Sequence, residues 1–149
     1  MGYLFDTDAI SDLGKPRPLA EYVRWLAGVP AEDQFTCAPV IGELFAGAFA
    51  VDKPSLLARI RDDVVNNLVV LPFGTVEAEQ YGKIRAALEQ DGQSLHDLDL
   101  QIAACAMTHG LDLVTGNRKH FERLIPLGLS CCWVFADARA ASQDRPIKG

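Results

Sequence analysis

The chain has 149 residues, enough for one domain and short for two. Hydrophobic residues make up 49% and charged residues 23%, which supplies a full core and excludes intrinsic disorder. A net charge of −6 and a pI near 4.9 exclude broad non-specific nucleic-acid binding, but not a nucleic-acid enzyme whose acids gather around metal ions. Mean hydropathy is +0.08, yet no apolar run approaches the roughly 18 residues of a membrane span. The start, Met1-Gly2-Tyr3-Leu4-Phe5-Asp6, has no basic region and meets an acid early, so the expected compartment is the cytoplasm. Cys37, Cys105, Cys131 and Cys132 form no C-x-x-C and read as reduced thiols rather than a zinc site or a disulfide framework.

The elements follow in order. The apolar run over 2–6 predicts a buried strand, and a short helix is expected over 9–13. Gly14-Lys15-Pro16-Arg17-Pro18 is a loop. Helical spacing continues over 19–26, and 35–37 is a strand candidate. Pro39 suits the first turn of a helix reaching 51. A helix over 55–67 and an apolar strand over 68–73 come next. Helices are expected over 76–90 and 94–109, the second closed by Gly110. A strand over 112–115, a short helix over 118–124 and a last strand over 132–135 complete the pattern, with a polar, loose tail from 136. Short apolar strands alternating with longer helices predict an α/β fold with a short, mostly parallel central sheet. In such sheets ligands bind beyond the carboxyl ends of the strands, where strand order reverses.

Several acids stand in informative places. Asp6 ends the first strand at the edge of the core, while Asp8 is expected to cap the following helix. On a helical wheel over 97–109, Asp99 falls inside an apolar arc between Ala103 and Ala106. An ionised carboxylate there needs a cation. Asp97 has a structural explanation, because Ser94-Leu95-His96-Asp97 matches a capping box. Glu43 shares one side of its helix with Gly47 and Ala50, which fits either a solvated glutamate or a face that another element approaches. Asn117 directly follows a strand and suits a turn or an N-cap, and Thr115 suits either a hydrogen-bonding role or plain strand propensity.

Four segments resemble, in order, the PIN-domain family, specifically the VapC-like toxins of toxin–antitoxin pairs. They are Leu4-Phe5-Asp6-Thr7-Asp8, Ile41-Gly42-Glu43-Leu44-x-x-Gly47, Asp99-Leu100-Gln101-Ile102-Ala103-Ala104 and Leu113-Val114-Thr115-Gly116-Asn117-x-x-x-Phe121. The resemblance spans about 2–135 and implies a three-layer α/β/α PIN-like domain, with 1–149 as one domain. It places Asp6, Glu43 and Asp99 at the family's acidic metal positions and Asn117 at a fourth catalytic position. Thr115 matches a site-lining hydroxyl, Asp8 a supporting position, and Asp97 is secondary. Many relatives carry an arginine soon after the glutamate, where this chain has Phe45-Ala46.

The implied chemistry is hydrolysis of RNA phosphodiester bonds by a water activated with Mg²⁺ or Mn²⁺, hard cations that suit carboxylate oxygens. The implied partners are an RNA substrate, a small VapB-like antitoxin and a second copy of the chain, with no membrane. Arg118, Lys119, Lys15 and Arg17 are candidate RNA contacts, and the solvated-face alternative stands beside them. The helix over 19–27, with Tyr22 and Trp25, is a candidate wall for the antitoxin groove. Two other readings compete. Tyr3-Leu4-Phe5-Asp6-Thr7-Asp8-Ala9-Ile10 is close to the first motif of haloacid-dehalogenase-like phosphatases, with Asp6 as nucleophile. A non-catalytic PIN-like binding module is the other.

Overall fold

The structure, a computed structural model, describes residues 1–144. Its centre is a five-stranded, wholly parallel sheet: β1 (Tyr3–Phe5), β2 (Gln34–Cys37), β3 (Val69–Leu71), β4 (Asp112–Val114) and β5 (Ser130–Cys132), in the order β3-β2-β1-β4-β5. β1 is central, pairing Leu4 with Phe35 of β2 and with Leu113 of β4. A central parallel strand is covered on both faces, and Leu4 and Phe5 are accordingly apolar and buried.

The helices are α1 (Thr7–Asp12), α2 (Ala20–Ala27), α3 (Ala38–Val51), α4 (Pro54–Arg59), α5 (Val65–Asn67), α6 (Thr75–Gln90), α7 (Asp97–Thr108), α8 (Arg118–Phe121) and α9 (Val134–Gln143). They flank the sheet: α6 packs on α7, α3 lies against α1 and α7, and α2 packs on α9. α7 lies close to the sheet because its buried face, Ala103-Ala104-Cys105-Ala106, is small. α3 follows β2 without a loop, and Pro39 occupies its first turn as expected.

Four details differ from the sequence reading. The helix expected over 55–67 runs from 54 to 67 but contains a π turn at Ile60–Val64, with Ile60 and Val64 both buried. α7 starts at Asp97 with His96 as its N-cap, so the Ser94–Asp97 capping box does not form. The Asp97 carboxylate instead accepts from the Tyr81 hydroxyl at 2.8 Å. The last strand ends at Cys132, and the segment expected to be a loose tail from 136 is helical through Gln143. Phe135 and Ala138, three apart, are buried on one face, and the alanines between and after them favour helix. The part of that expectation over 145–149 lies outside the described residues. Tyr22 is core rather than groove wall, fully buried with its hydroxyl donating to the Ala9 carbonyl at 2.9 Å, and Trp25 is half-buried against the core beside it.

Candidate active site

From β1 the sheet runs outward to β2 and β3 on one side and to β4 and β5 on the other, so connections diverge at the β1/β4 pair. The carboxyl ends of those two strands are the switch point, where an open parallel sheet leaves a crevice. Asp6 follows β1 there, and Thr115-Gly116-Asn117 follows β4.

Asp6 caps α1, its Oδ1 accepting from the Ala9 amide at 3.0 Å. The cap was expected of Asp8; it falls to Asp6 because α1 begins immediately at Thr7. Only 5% of Asp6 is exposed, and its pKa is pushed up to about 7 from an ordinary 3.8. Burial is the main cause, with Asp8 and Asp99 adding negative charge, while hydrogen bonds from Thr115 and Ala9 pull the other way. Thr115 is fully buried, and its hydroxyl also accepts from the Asn117 amide at 3.1 Å, so it joins the two strand ends. Asn117 takes the N-cap position of α8 through its carbonyl, which accepts from His120 and Phe121 at 3.2 Å, and its side chain makes no capping bond.

Asp99 sits in the first turn of α7 with its side chain 19% exposed, 3.3 Å from His120 Nδ1. The apolar arc therefore does not bury it in the core. The helix N-terminus and the neighbouring imidazole meet its charge at the crevice edge. Glu43 is exposed on α3, where its Oε2 accepts from the Thr7 hydroxyl at 2.8 Å. Thr7 stands between Asp6 and Asp8, so this bond brings α3 to the same strand end. A Cβ on Gly42 or Gly47 would meet no atom within 4 Å, which leaves the α3 face around Glu43 open to close approach.

The secondary candidates fall differently. Asp8 lies 3.6 Å from Arg139 of α9. Asp97 accepts from Tyr81 and Arg85 and so ties α7 to α6. Arg118 pairs with Asp137 at 3.4 Å and stacks over Trp133 at 4.7 Å. Lys15 pairs with the buried Asp12 at 3.6 Å. Lys119 and Arg17 are exposed. Thr7 and Arg139 are the neighbours of the acids that sequence pattern left out as site residues. A threonine between two aspartates was the one available signal.

Among the described residues, no three His, Cys, Asp or Glu side chains stand close enough to chelate one ion together. The carboxylates and the Thr115 hydroxyl at the crevice nevertheless offer oxygen donors, and Asp8 and Asp99 add negative charge around the buried Asp6 carboxyl. That chemistry fits a hard divalent cation, which Mg²⁺ sites commonly hold through one or two carboxylates while waters fill the remaining positions.

Residues 3–125 match the PIN domain. Ribonuclease VapC2 of Haemophilus influenzae is 30% identical over 125 residues, covering 84% of this chain and 93% of that protein. Two solved structures share the fold. FitAB bound to IR36 DNA fragment has a TM-score of 0.78 and 25% identity, covering 87% of this chain and 93% of that one. VapBC-1 from nontypeable Haemophilus influenzae has 0.76 and 27%, covering 89% and 97%. With a family match across most of its length and the acidic crevice at its switch point, this chain belongs to the PIN-domain family.

Proposed function

We propose that this chain is a metal-dependent endoribonuclease, the toxin of a VapBC-type toxin–antitoxin pair. The observation that carries the reading is the crevice itself: the Asp6 carboxyl is buried where β1 and β4 end, in a chain aligned with nearly the whole of Ribonuclease VapC2. Asp6 and Asp99 would hold Mg²⁺ or Mn²⁺, with Glu43 closing from α3. When bound, such an ion lowers the pKa of a water and offsets charge on the attacked phosphate.

The chain's own residues do the positioning. The Thr115 hydroxyl and the Ala9 amide fix the Asp6 carboxylate from two sides. The Thr7 hydroxyl orients Glu43. His120 meets Asp99 and holds its carboxylate at the crevice. The Asn117 side chain makes no capping bond and would donate or accept at the substrate. Arg118, Lys119 and Arg17 are exposed cations for the RNA backbone, which an acidic chain needs locally.

A VapB-like antitoxin would reach the site along the cleft of about 500 Å³ between α1, α3 and α4, whose lining runs from Leu44, Leu56 and Ile60 to Thr7 and Glu43. A homodimer is part of the same proposal. The phosphatase reading has no counterpart in a PIN-domain chain, and no observation favours a non-catalytic module.

The test is expression in cells of the wild type and Asp99→Asn, with mapping of new RNA 5′ ends, followed by cleavage assays with Mg²⁺ or Mn²⁺. Growth arrest and new 5′ ends are expected with the wild type alone. Intact RNA in both settings would reject the proposal.

A further inference from the structure

The last described helix reaches back into the site. Arg139 of α9 lies with Nη1 3.6 Å from Asp8 Oδ2, in the segment that follows β1. The same nitrogen lies against the segment that follows β4, because a Cβ built on Gly116 would stand 2.8 Å from it. Phe135, one turn earlier on α9, packs on the same side of Gly116, where the same Cβ would come within 2.9 Å of its ring. Phe135 is itself anchored in the core, 4.8 Å from the Tyr22 ring centroid. Gly116 therefore leaves room for a guanidinium that a side chain would expel. One arginine nitrogen touches both halves of the crevice, next to Thr115, whose hydroxyl steadies Asp6. α9 also lies beyond residues 3–125, the span matched to the family.

We propose that Arg139 is a positioning residue that clasps the Asp6-Thr7-Asp8 segment to the Thr115-Gly116-Asn117 segment and so holds the acidic site in register. The proposal rests on the ribonuclease reading for its kinetic consequence, though not for its structural one. As an ion pair the contact contributes little to stability, since Arg139 is 46% and Asp8 49% exposed at the side chain. Its effect belongs to geometry, where small displacements of catalytic groups are costly.

The experiment uses the full chain with Arg139→Ala, Arg139→Lys, Asp8→Asn and the double variant Asp8→Asn/Arg139→Ala. Steady-state RNA cleavage, thermal melts and amide NMR spectra are recorded for each. Arg139→Ala should lower kcat about tenfold and leave KM within about twofold. Its Tm should stay within about 2 °C of wild type. Arg139→Lys should recover part of kcat, and the double variant should be no worse than Asp8→Asn alone. The amide resonances of Gly116 and Asn117 should move in Arg139→Ala and Asp8→Asn alike. Unchanged kcat in Arg139→Ala would overturn the clasp, as would multiplicative losses in the double variant. A rise in KM alone would replace it with a direct RNA contact. A wild type that leaves RNA intact removes the ribonuclease reading instead. The amide shifts then decide the clasp by themselves, and unmoved Gly116 and Asn117 resonances reject it.

Discussion

Asp6 caps a helix and is proposed to hold a metal ion, and the two duties make opposite demands. As an N-cap it needs only an oxygen that accepts from the Ala9 amide, which asparagine supplies equally well. As a metal ligand it needs a charge, and burial opposes that charge. Its pKa in the fold, about 7, lies above the ordinary 3.8, so the folded state binds the extra proton more tightly. The stabilisation from protonated Asp6 is complete below about pH 4 and is lost as pH rises through about 7. The displacement corresponds to about 4 kcal/mol. Asp6→Asn should therefore raise the stability of the metal-free protein at pH 7.5, by up to that amount, in denaturant unfolding with chelator present. The same variant should lower RNA cleavage at least about a hundredfold. Thr7→Val is the milder companion. It frees Glu43 without touching the core, and should reduce kcat several-fold while changing stability by less than about 0.5 kcal/mol.

At the scale of elements, the dense apolar segments were legible and the ends were not. β1, α3 and α6 stand within two residues of their expected bounds, because Leu4-Phe5, Pro39 and the Tyr81–Ile84–Leu88 register leave little freedom. Asp6, Glu43, Asp99 and Asn117 were each visible as polar residues at element ends or on awkward helix faces. Their partners were not, since Thr7–Glu43 and His120–Asp99 are tertiary contacts between elements that periodicity cannot pair. α9 was missed because a helix with only Phe135 and Ala138 buried reads as polar from its sequence. The structure makes it a working part of the domain, so Phe135→Ala should cost about 3–5 kcal/mol. Equilibrium unfolding measures this directly, and a loss below about 1 kcal/mol would mean that α9 does not pack as described.

For the molecule as a whole, charge links stability, metal and pH. On the proposed reading a divalent ion would bind the ionised carboxylates, so its affinity would grow as Asp6 loses its proton. Added Mn²⁺ should raise Tm markedly at pH 8 and hardly at pH 5, in scans at a fixed metal concentration. In Asp6→Asn the dependence on pH should largely vanish. The global charge of −6 adds a second expectation, since the proposed RNA substrate would approach against a repulsive field and rely on a few local cations. Binding should consequently have a shallow salt dependence, read as a log–log slope, and Arg118→Ala should reduce that slope by about one.

β1 is made first and sits in the middle, and its neighbour β4 enters the chain more than a hundred residues later. Until the ribosome has released residues 112–117, Asp6 has no Thr115 beside it and the crevice has one wall. A chain truncated before that strand carries Asp6, Glu43 and Asp99 but lacks the β4 wall of the crevice and the Thr115 hydroxyl that holds Asp6. The centre is thus completed only by the most distant strand pairing in the sheet.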